Sequence, residues 1–127
     1  MNIQMSIDIE DEVRKALKDY LSAYCRPLPK SYNLPNILIH RVGGTEVDTI
    51  DTFEVVLDSR AKTDAEADEY LRKAIGILQK QAKLQSTAIR HITINTIGTW
   101  GTDPVRPDLK MCSARVRILA HTQNTEV

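Results

Sequence analysis

Apolar residues recur at helical spacing in the first part of the chain. In Ile9–Cys25, apolar side chains appear every three or four positions and charged side chains fill most of the rest, which predicts an amphipathic helix buried along one face. Its apolar positions are Ile9, Val13, Ala16, Leu17, Tyr20, Leu21 and Tyr24. Ser6 or Asp8 is placed to cap its start. Pro27 and Pro29 are expected to stop it, because proline lacks a backbone N–H and disfavours helix at the preceding residue.

A second helix is predicted from Asp64 onward. Thr63 and Glu66 have the spacing of a capping box, in which each side chain binds a free backbone N–H of the first turn. The apolar stripe consists of Ala67, Leu71, Ala74, Ile75, Leu78 and Ala82. Acidic residues lie early in this segment and basic residues late, which suits the helix dipole. Gly76 is expected to cost about 1 kcal/mol relative to alanine.

Four segments have the composition or alternation of β-strands. They are Ile37–Val42, Phe53–Ser59, Ile89–Ile97 and Cys112–His121. In the second, Phe53, Val55 and Leu57 point one way while Glu54 and Asp58 point the other. In the last, Val116, Ile118 and Ala120 share one face, and Arg115, Arg117 and Leu119 share the other. Each of these strands is therefore expected to bury one face.

Glycine and proline mark the expected loops. Gly43 and Gly44 are predicted to end the first strand in a turn, since glycine tolerates positive φ, and to project a polar loop, Thr45–Thr52. A second long loop is predicted over Gly98–Lys110, which holds two prolines and the single tryptophan. The polar tail, Thr122–Val127, is expected to be frayed.

The order of these elements is helix, strand, strand, helix, strand, strand. It predicts one α+β domain over residues 1–127, with a single mixed β-sheet of about four strands and two main helices packed on one face. A right-handed crossover is expected between the second and third strands. The order of strands in the sheet does not follow from the pattern.

Composition narrows the function classes. The 127 residues include 17 basic and 17 acidic side chains, so the chain has no broad attraction for nucleic acid. The sequence has no apolar run long enough for a membrane span and no signal peptide, which predicts a protein made and folded in a cytosol. Cys25 and Cys112 have no CxxC context and are expected to be reduced.

Candidate chemistry is sparse. His40, His91 and His121 lie in separate strand segments without metal-ligand spacing, and structural roles are the simpler interpretation. Asp103 and Asp108 share one loop, which would suit acid–base chemistry or a cation, although Asp-Pro and Pro-Asp are also ordinary turn chemistry.

Two features suggest protein contacts. Trp100 either anchors a partner or covers the protein's own core, and the sequence does not separate these alternatives. Arg115 and Arg117 face outward from the last strand, as Glu54 and Asp58 do from the second. They form either cross-strand ion pairs on a solvated face or a charged subunit interface.

Taken in order, these segments resemble the tail terminator family of long-tailed bacteriophages, together with its tail-completion and head–tail joining relatives. The resemblance covers nearly the whole chain as a pattern rather than as an invariant motif. Its strongest parts are Arg41-Val-Gly-Gly44 at the end of the first strand and Arg106-Pro-Asp108 in the long loop. Leu109-Lys110-Met111 departs from the glycine and proline often seen after that aspartate.

The resemblance implies a structural virion protein without catalysis or a cofactor. Its expected partners are further copies of itself in a ring, commonly a hexamer, the major tail tube protein and the head connector. The ring would cap the tail tube at the tail–head junction of the virion, with DNA passing through its lumen without sequence-specific contact, and would assemble in the host cytoplasm. Candidate contact residues are Arg41, Gly43, Gly44, Glu46, Asp48, Asp51, Trp100, Asp103, Arg106, Asp108, Arg115 and Arg117.

Other function classes stay open at this point. Head–tail joining or completion is a closely related alternative to termination. A small cytosolic enzyme would use Asp103, Asp108 or His91 in a cleft, and a regulatory binding module of ferredoxin-like shape is a third hypothesis.

Overall fold

The computed structural model describes residues 1–47, 50–85 and 87–127. Within these ranges the chain forms two helices and seven strands. In chain order they are β1 (Asn2–Met5), α1 (Ile9–Leu17), β2 (Ala23–Cys25), β3 (Asn36–Val47), β4 (Ile50–Ala61), α2 (Asp64–Leu84), β5 (Ile89–Thr102), β6 (Lys110–His121) and β7 (Gln123–Glu126). Neither helix is both long enough and apolar enough to cross a membrane.

The strands form two sheets, so the prediction of a single sheet of about four strands is wrong. The larger sheet has five strands in the order β2-β3-β4-β6-β5, and it is mixed because β2 pairs parallel to β3 while the other pairs are antiparallel. The smaller sheet joins β1 to β7 in antiparallel register. The expected frayed tail is therefore also wrong: the chain ends pair with each other over four positions, from Asn2 opposite Glu126 to Met5 opposite Gln123.

The first helix is shorter than predicted. It spans only Ile9–Leu17, and Asp8 caps it by accepting a hydrogen bond from the backbone N–H of Asp11. The chain then turns and enters β2, so Tyr24 lies in a strand and Tyr20 is exposed. The helix ends well before Pro27, and pairing of β2 with β3 outweighs the continuing helical periodicity.

The second helix confirms its prediction. All six residues of the apolar stripe are buried, and the hydroxyl of Thr63 accepts a hydrogen bond from the backbone N–H of Glu66. Both helices bury side chains in one core cluster with the alternate residues of β4 and β6, including Val55, Leu57 and Val116. One face of the five-stranded sheet is thus covered by helices. The opposite face, called the outer face below, carries the alternate polar residues.

The double glycine does not end a strand. Beyond it, β3 continues to Val47, and Gly43 and Gly44 pair with Glu54 and Phe53 of β4. A register shift between Arg41 and Gly43 marks a β-bulge at this point. The segment 45–52, predicted to be a polar loop, instead extends the hairpin through paired residues of β3 and β4 on either side of positions 48 and 49, which lie outside the described residues.

The second predicted loop is also mostly strand. Residues 98–102 belong to β5 and pair with β6 through Thr102 opposite Lys110, which leaves a loop of residues 103–109. Register shifts along β5, the last of them between Ile97 and Thr99, let the strand pass Gly98 at a φ of +81°. A β-bulge accommodates an extra residue within a strand. The glycine and threonine residues of this segment suggested a loop, and that prediction is wrong.

Candidate interaction surfaces

Two of the regions that contain candidate residues, the hairpin end and the loop 103–109, lie at opposite ends of β4. Asp51 lies near its start and Arg60 near its end, which places the hairpin end and the loop 103–109 about 30 Å apart at the usual strand rise. The structure therefore does not bring all predicted contact residues into one site. It separates them into the hairpin end, the outer face, the loop 103–109 and the edge strand β5.

On the outer face, Glu54 is the centre of a cross-strand cluster. Its carboxylate accepts hydrogen bonds from Nε of Arg117 at 2.9 Å and from Nδ2 of Asn95 at 3.0 Å, and Nε of Arg115 lies 3.6 Å away. Both arginine side chains are 51% exposed. The cluster matches the cross-strand ion pairs expected for a solvated face, which contribute little to stability individually.

A second cluster on the outer face joins three strands. Nε2 of His40 lies 2.7 Å from Oδ2 of Asp58, and the hydroxyl of Ser113 donates to Oδ1 of Asp58 at 2.5 Å. The carboxylate lies between the hydroxyl and the imidazole, so His40 does not contact the serine as a general base must. The arrangement positions side chains across the sheet. Strand order, which the sequence did not predict, is what brings them together.

A buried ion pair holds the loop 103–109 to the sheet. Nε of Arg60 lies 2.5 Å from Oδ2 of Asp103, and the two side chains are only 3% and 8% exposed. Oδ1 of Asp103 also accepts hydrogen bonds from the backbone N–H groups of Val105 at 2.8 Å and Arg106 at 2.9 Å. One carboxylate thus fixes both the position of the loop and its first turn.

The environment of Asp103 favours its charged form. Burial raises the pKa of Asp103, but the backbone hydrogen bonds from Arg106 and Val105 and the positive charge of Arg60 together outweigh burial and lower it below the ordinary value. Asp103 was a predicted site residue, whereas Arg60 was not. Arg60 follows the alternation of β4 onto the outer face, but its partner lies more than forty positions away in the sequence.

An apolar depression lies beside this ion pair. A cavity of about 500 Å³ opens between the segment 28–32 and the loop 103–109. Its apolar wall consists of Leu28, Pro29, Leu38, Pro104, Val105 and Met111, and its polar groups come from Lys30, Tyr32, Asp58, Arg60, Asp103 and Arg106. Its size and mixed lining are those of ordinary ligand pockets.

Tyr32 stands between two guanidinium groups at this cavity. Nη2 of Arg60 donates to the Tyr32 hydroxyl at 3.4 Å, and the guanidinium carbon of Arg60 lies 5.0 Å from the centre of the Tyr32 ring. Hydrogen bonding to Arg106 and then to Arg60 lowers the pKa of Tyr32. Two cationic side chains therefore act on the Tyr32 hydroxyl at the cavity.

The outer part of the loop is exposed but ordered by its own contacts. Nη2 of Arg106 lies 2.8 Å from Oδ2 of Asp108, and this ion pair raises the pKa of Arg106 and lowers that of Asp108. The neighbouring Val105 side chain is 86% exposed. An apolar side chain is thus presented to solvent beside two charged ones.

The hairpin end places its candidate residues unequally. Asp51 is only 2% exposed, and neither of its carboxylate oxygens has a hydrogen-bond partner within the described part of the chain. Arg41 is exposed and lies with its guanidinium carbon 5.0 Å from the centre of the Phe53 ring. Glu46 pairs with Asp51 through the backbone, and Asp48 lies outside the described residues.

Strand β5 forms one open edge of the five-stranded sheet. Ile97 and Trp100 oppose Ala114 and Cys112, so they lie on the helix-covered face, yet each is 51% exposed. At the opposite edge, β2 covers β3 only from Ile37 to Ile39. Both edges of one sheet therefore retain strand segments without a strand partner among the described residues.

Models of known protein families and curated protein sequences give no match to this chain. Across residues 1–47, 50–85 and 87–127, no group of three or more His, Cys, Asp and Glu side chains is arranged to hold a metal ion.

Proposed function

We propose that this chain is a structural neck protein of a long-tailed bacteriophage or prophage, of the kind that tail terminators represent. In this proposal, copies of the chain join as a ring, with a hexamer as the expected size. The ring caps the tail tube, stops its polymerisation and offers a surface to the head connector. Head–tail joining or completion within the connector is the closest alternative role.

The observation that carries the proposal is the pair of unlike open edges. In the sheet order β2-β3-β4-β6-β5, the described residues place no strand beside β5 along one edge and none beside β3 beyond Ile39 along the other, where the Glu10 carboxylate accepts a hydrogen bond from the backbone N–H of Arg41. Successive antiparallel pairing makes β5 run opposite to β3. The β5 edge of one copy can therefore pair antiparallel with the β3 edge of the next. Such a contact joins two different surfaces and forms a closed ring or a filament.

The exposed side chains on β5 support this edge as a contact. Ile97 and Trp100 are half exposed on a long edge strand, and an uncovered apolar edge strand favours association with another chain. The equal numbers of acidic and basic residues suit a lumen through which DNA passes without tight binding. The virion is the proposed location, and the role requires no catalysis or cofactor.

Oligomeric state is the first test of the proposal. Light scattering after size-exclusion chromatography, with negative-stain imaging, is expected to show rings or concentration-dependent assembly, either alone or on purified tail tubes. Ile97→Lys should weaken assembly, because it places a charge on the edge. Tyr20→Lys is the matched control, since Tyr20 is an exposed aromatic residue that belongs to neither β5 nor β3. A strictly monomeric chain that also fails to cap tail tubes would refute the proposal.

The residues named for an enzyme are engaged elsewhere in the structure. Asp103 is bound to Arg60 and two backbone N–H groups, and Asp108 is paired with Arg106. His91 opposes Leu119, about 30 Å along β6 from the Lys110 end where the loop begins. These three side chains therefore do not form a common cleft, and no specific observation favours the enzyme hypothesis over the structural role.

A further inference from the structure

We propose that the cavity between the segment 28–32 and the loop 103–109 binds a partner protein, through an apolar side chain of the partner that lies next to a carboxylate. This inference goes beyond the ring and does not depend on it. The edges that would join copies are β5 and β3, whereas the cavity lies on the outer face at the Arg60 end of β4.

Shape and lining define the apolar part of the ligand. The cavity volume is about 500 Å³, within the range of roughly 300–1,000 Å³ that is usual for binding pockets. Leu28, Leu38 and Met111 contribute to its wall from three separate segments of the chain. A leucine, phenylalanine or tryptophan side chain of a partner would cover this wall.

Charge defines the other part of the ligand. Asp58 is engaged with His40 and Ser113, and Asp103 with Arg60 and two backbone groups. By contrast, Lys30 is an exposed cation without an ion pair to any described residue.

Three side chains that line the cavity are cations, Lys30, Arg60 and Arg106, and its two carboxylates already have partners. This excess of cationic side chains is complementary to a carboxylate. The lowered pKa of Tyr32 reflects the same positive environment.

The exposed rim of the cavity favours a protein ligand over a small organic acid. Val105 lines the cavity but is 86% exposed, so a small ligand within the cavity would leave most of it in water. Asp103 holds the turn that presents Val105 through two backbone hydrogen bonds, so the rim does not need to be ordered on binding. A peptide segment that inserts one side chain and continues across the loop would cover both.

The cavity itself is tested with two small probes, N-acetyl-phenylalanine and its uncharged amide. Titration of the isotope-labelled protein is expected to shift the backbone amide signals of Val105 and Arg106, with a dissociation constant on the order of 1 mM for a ligand of this size. The carboxylate should bind at least about tenfold more tightly than the amide. Equal binding of the two probes, or no shifts around the cavity, would overturn the proposal.

Two lysine variants test which cation of the protein gives the preference for a carboxylate. Lys30→Gln should remove most of the preference for the carboxylate, while Lys62→Gln should leave it unchanged, since Lys62 is exposed and does not line the cavity. Both substitutions are at exposed positions, so both proteins are expected to fold. An unchanged preference in Lys30→Gln would assign the selectivity to another group and contradict this argument.

Random twelve-residue peptides displayed for selection test the protein partner. Selected peptides are expected to share an apolar residue adjacent to Asp or Glu, and Val105→Ser should weaken them at least about tenfold while weakening N-acetyl-phenylalanine less. Selected peptides that lack this motif, or that bind Val105→Ser as well as the unchanged protein, would overturn the assignment to a protein. Binding of the probe alone would then leave a small organic acid as the ligand class.

Discussion

Gly44→Ala is expected to destabilise the protein through the backbone of the hairpin. Gly44 has a φ of +154°, a conformation that residues with a side chain rarely adopt. A Cβ atom at this position would lie 3.2 Å from Cα of Phe53 and would overlap the carbonyl oxygen of Thr52. Both neighbours are backbone atoms of β4, whose register is fixed by pairing on both sides, so neither can move away like a flexible side chain.

The expected loss of unfolding free energy is about 1–3 kcal/mol, the usual cost of a strained backbone conformation, and the overlap with Thr52 places the result toward the upper end. Gly43→Ala is the matched control. Its Cβ would meet only Cβ of Glu54, at 3.9 Å, which is an ordinary contact. Alanine there should be neutral or stabilising by about 0.5–1 kcal/mol, because glycine is unfavourable within strands.

Urea unfolding of the two variants measures the difference directly. The midpoint of Gly44→Ala should fall and that of Gly43→Ala should stay level or rise, with the same denaturant dependence for both. The two midpoints should therefore differ by an amount equivalent to roughly 2–4 kcal/mol. Equal midpoints would refute the role assigned to Gly44, and a large loss in Gly43→Ala would place the close contact at the wrong glycine.

Four further predictions concern stability. Gly76→Ala should raise the unfolding free energy by about 0.5–1 kcal/mol, since Gly76 is exposed within α2 and an added Cβ would meet nothing within 4 Å; thermal melts that show a loss would contradict this. Leu71→Ala, at a fully buried position, should cost about 2–5 kcal/mol through a core cavity, and an unchanged melting temperature would refute the placement of the stripe. Arg60→Met should cost about 3–5 kcal/mol, because it leaves the buried carboxylate of Asp103 without its cation. The folded pKa of Asp103 is lowered, so its stabilising contribution is complete above the unfolded value of 3.8 and is lost as pH falls through the folded pKa; Asp103→Asn should flatten the acid limb of a stability–pH curve.

Local patterns predicted the features that depend on neighbours in the sequence. The stripe of α2 and the buried face of β4 followed from periodicity, because one helix face and alternate strand positions are set within a few residues. The cap at Thr63 was predictable in the same way, because its hydroxyl accepts a hydrogen bond from a backbone N–H only three residues later.

Features that depend on distant pairing were not predictable in this way. The helical spacing of apolar residues continues to Tyr24, but parallel pairing with β3 places Tyr24 in a strand. The segment Gln123–Glu126 has no apolar residue, yet it forms β7 because it pairs with β1 at the other end of the chain. Arg60 and Asp103 meet only once the sheet has formed. The strand order does not follow from the sequence, so the sequence does not indicate that these two residues are partners.

At the double glycine, the difference between the predicted and the observed structure changes the functional interpretation. A turn at Gly43 and Gly44 would have projected a polar loop toward a partner, and that loop would have been the expected binding site. Because the glycines instead lie at a bulge within a continuous hairpin, the missing side chain of Gly44 allows the close approach of β3 to β4. The features suited to partners lie elsewhere, in the open edges of the sheet and in the cavity held by Asp103. The edges are two unlike sides of one sheet and suit repeated copies of the chain, whereas the cavity combines an apolar wall with the unpaired cation of Lys30 and suits a different molecule.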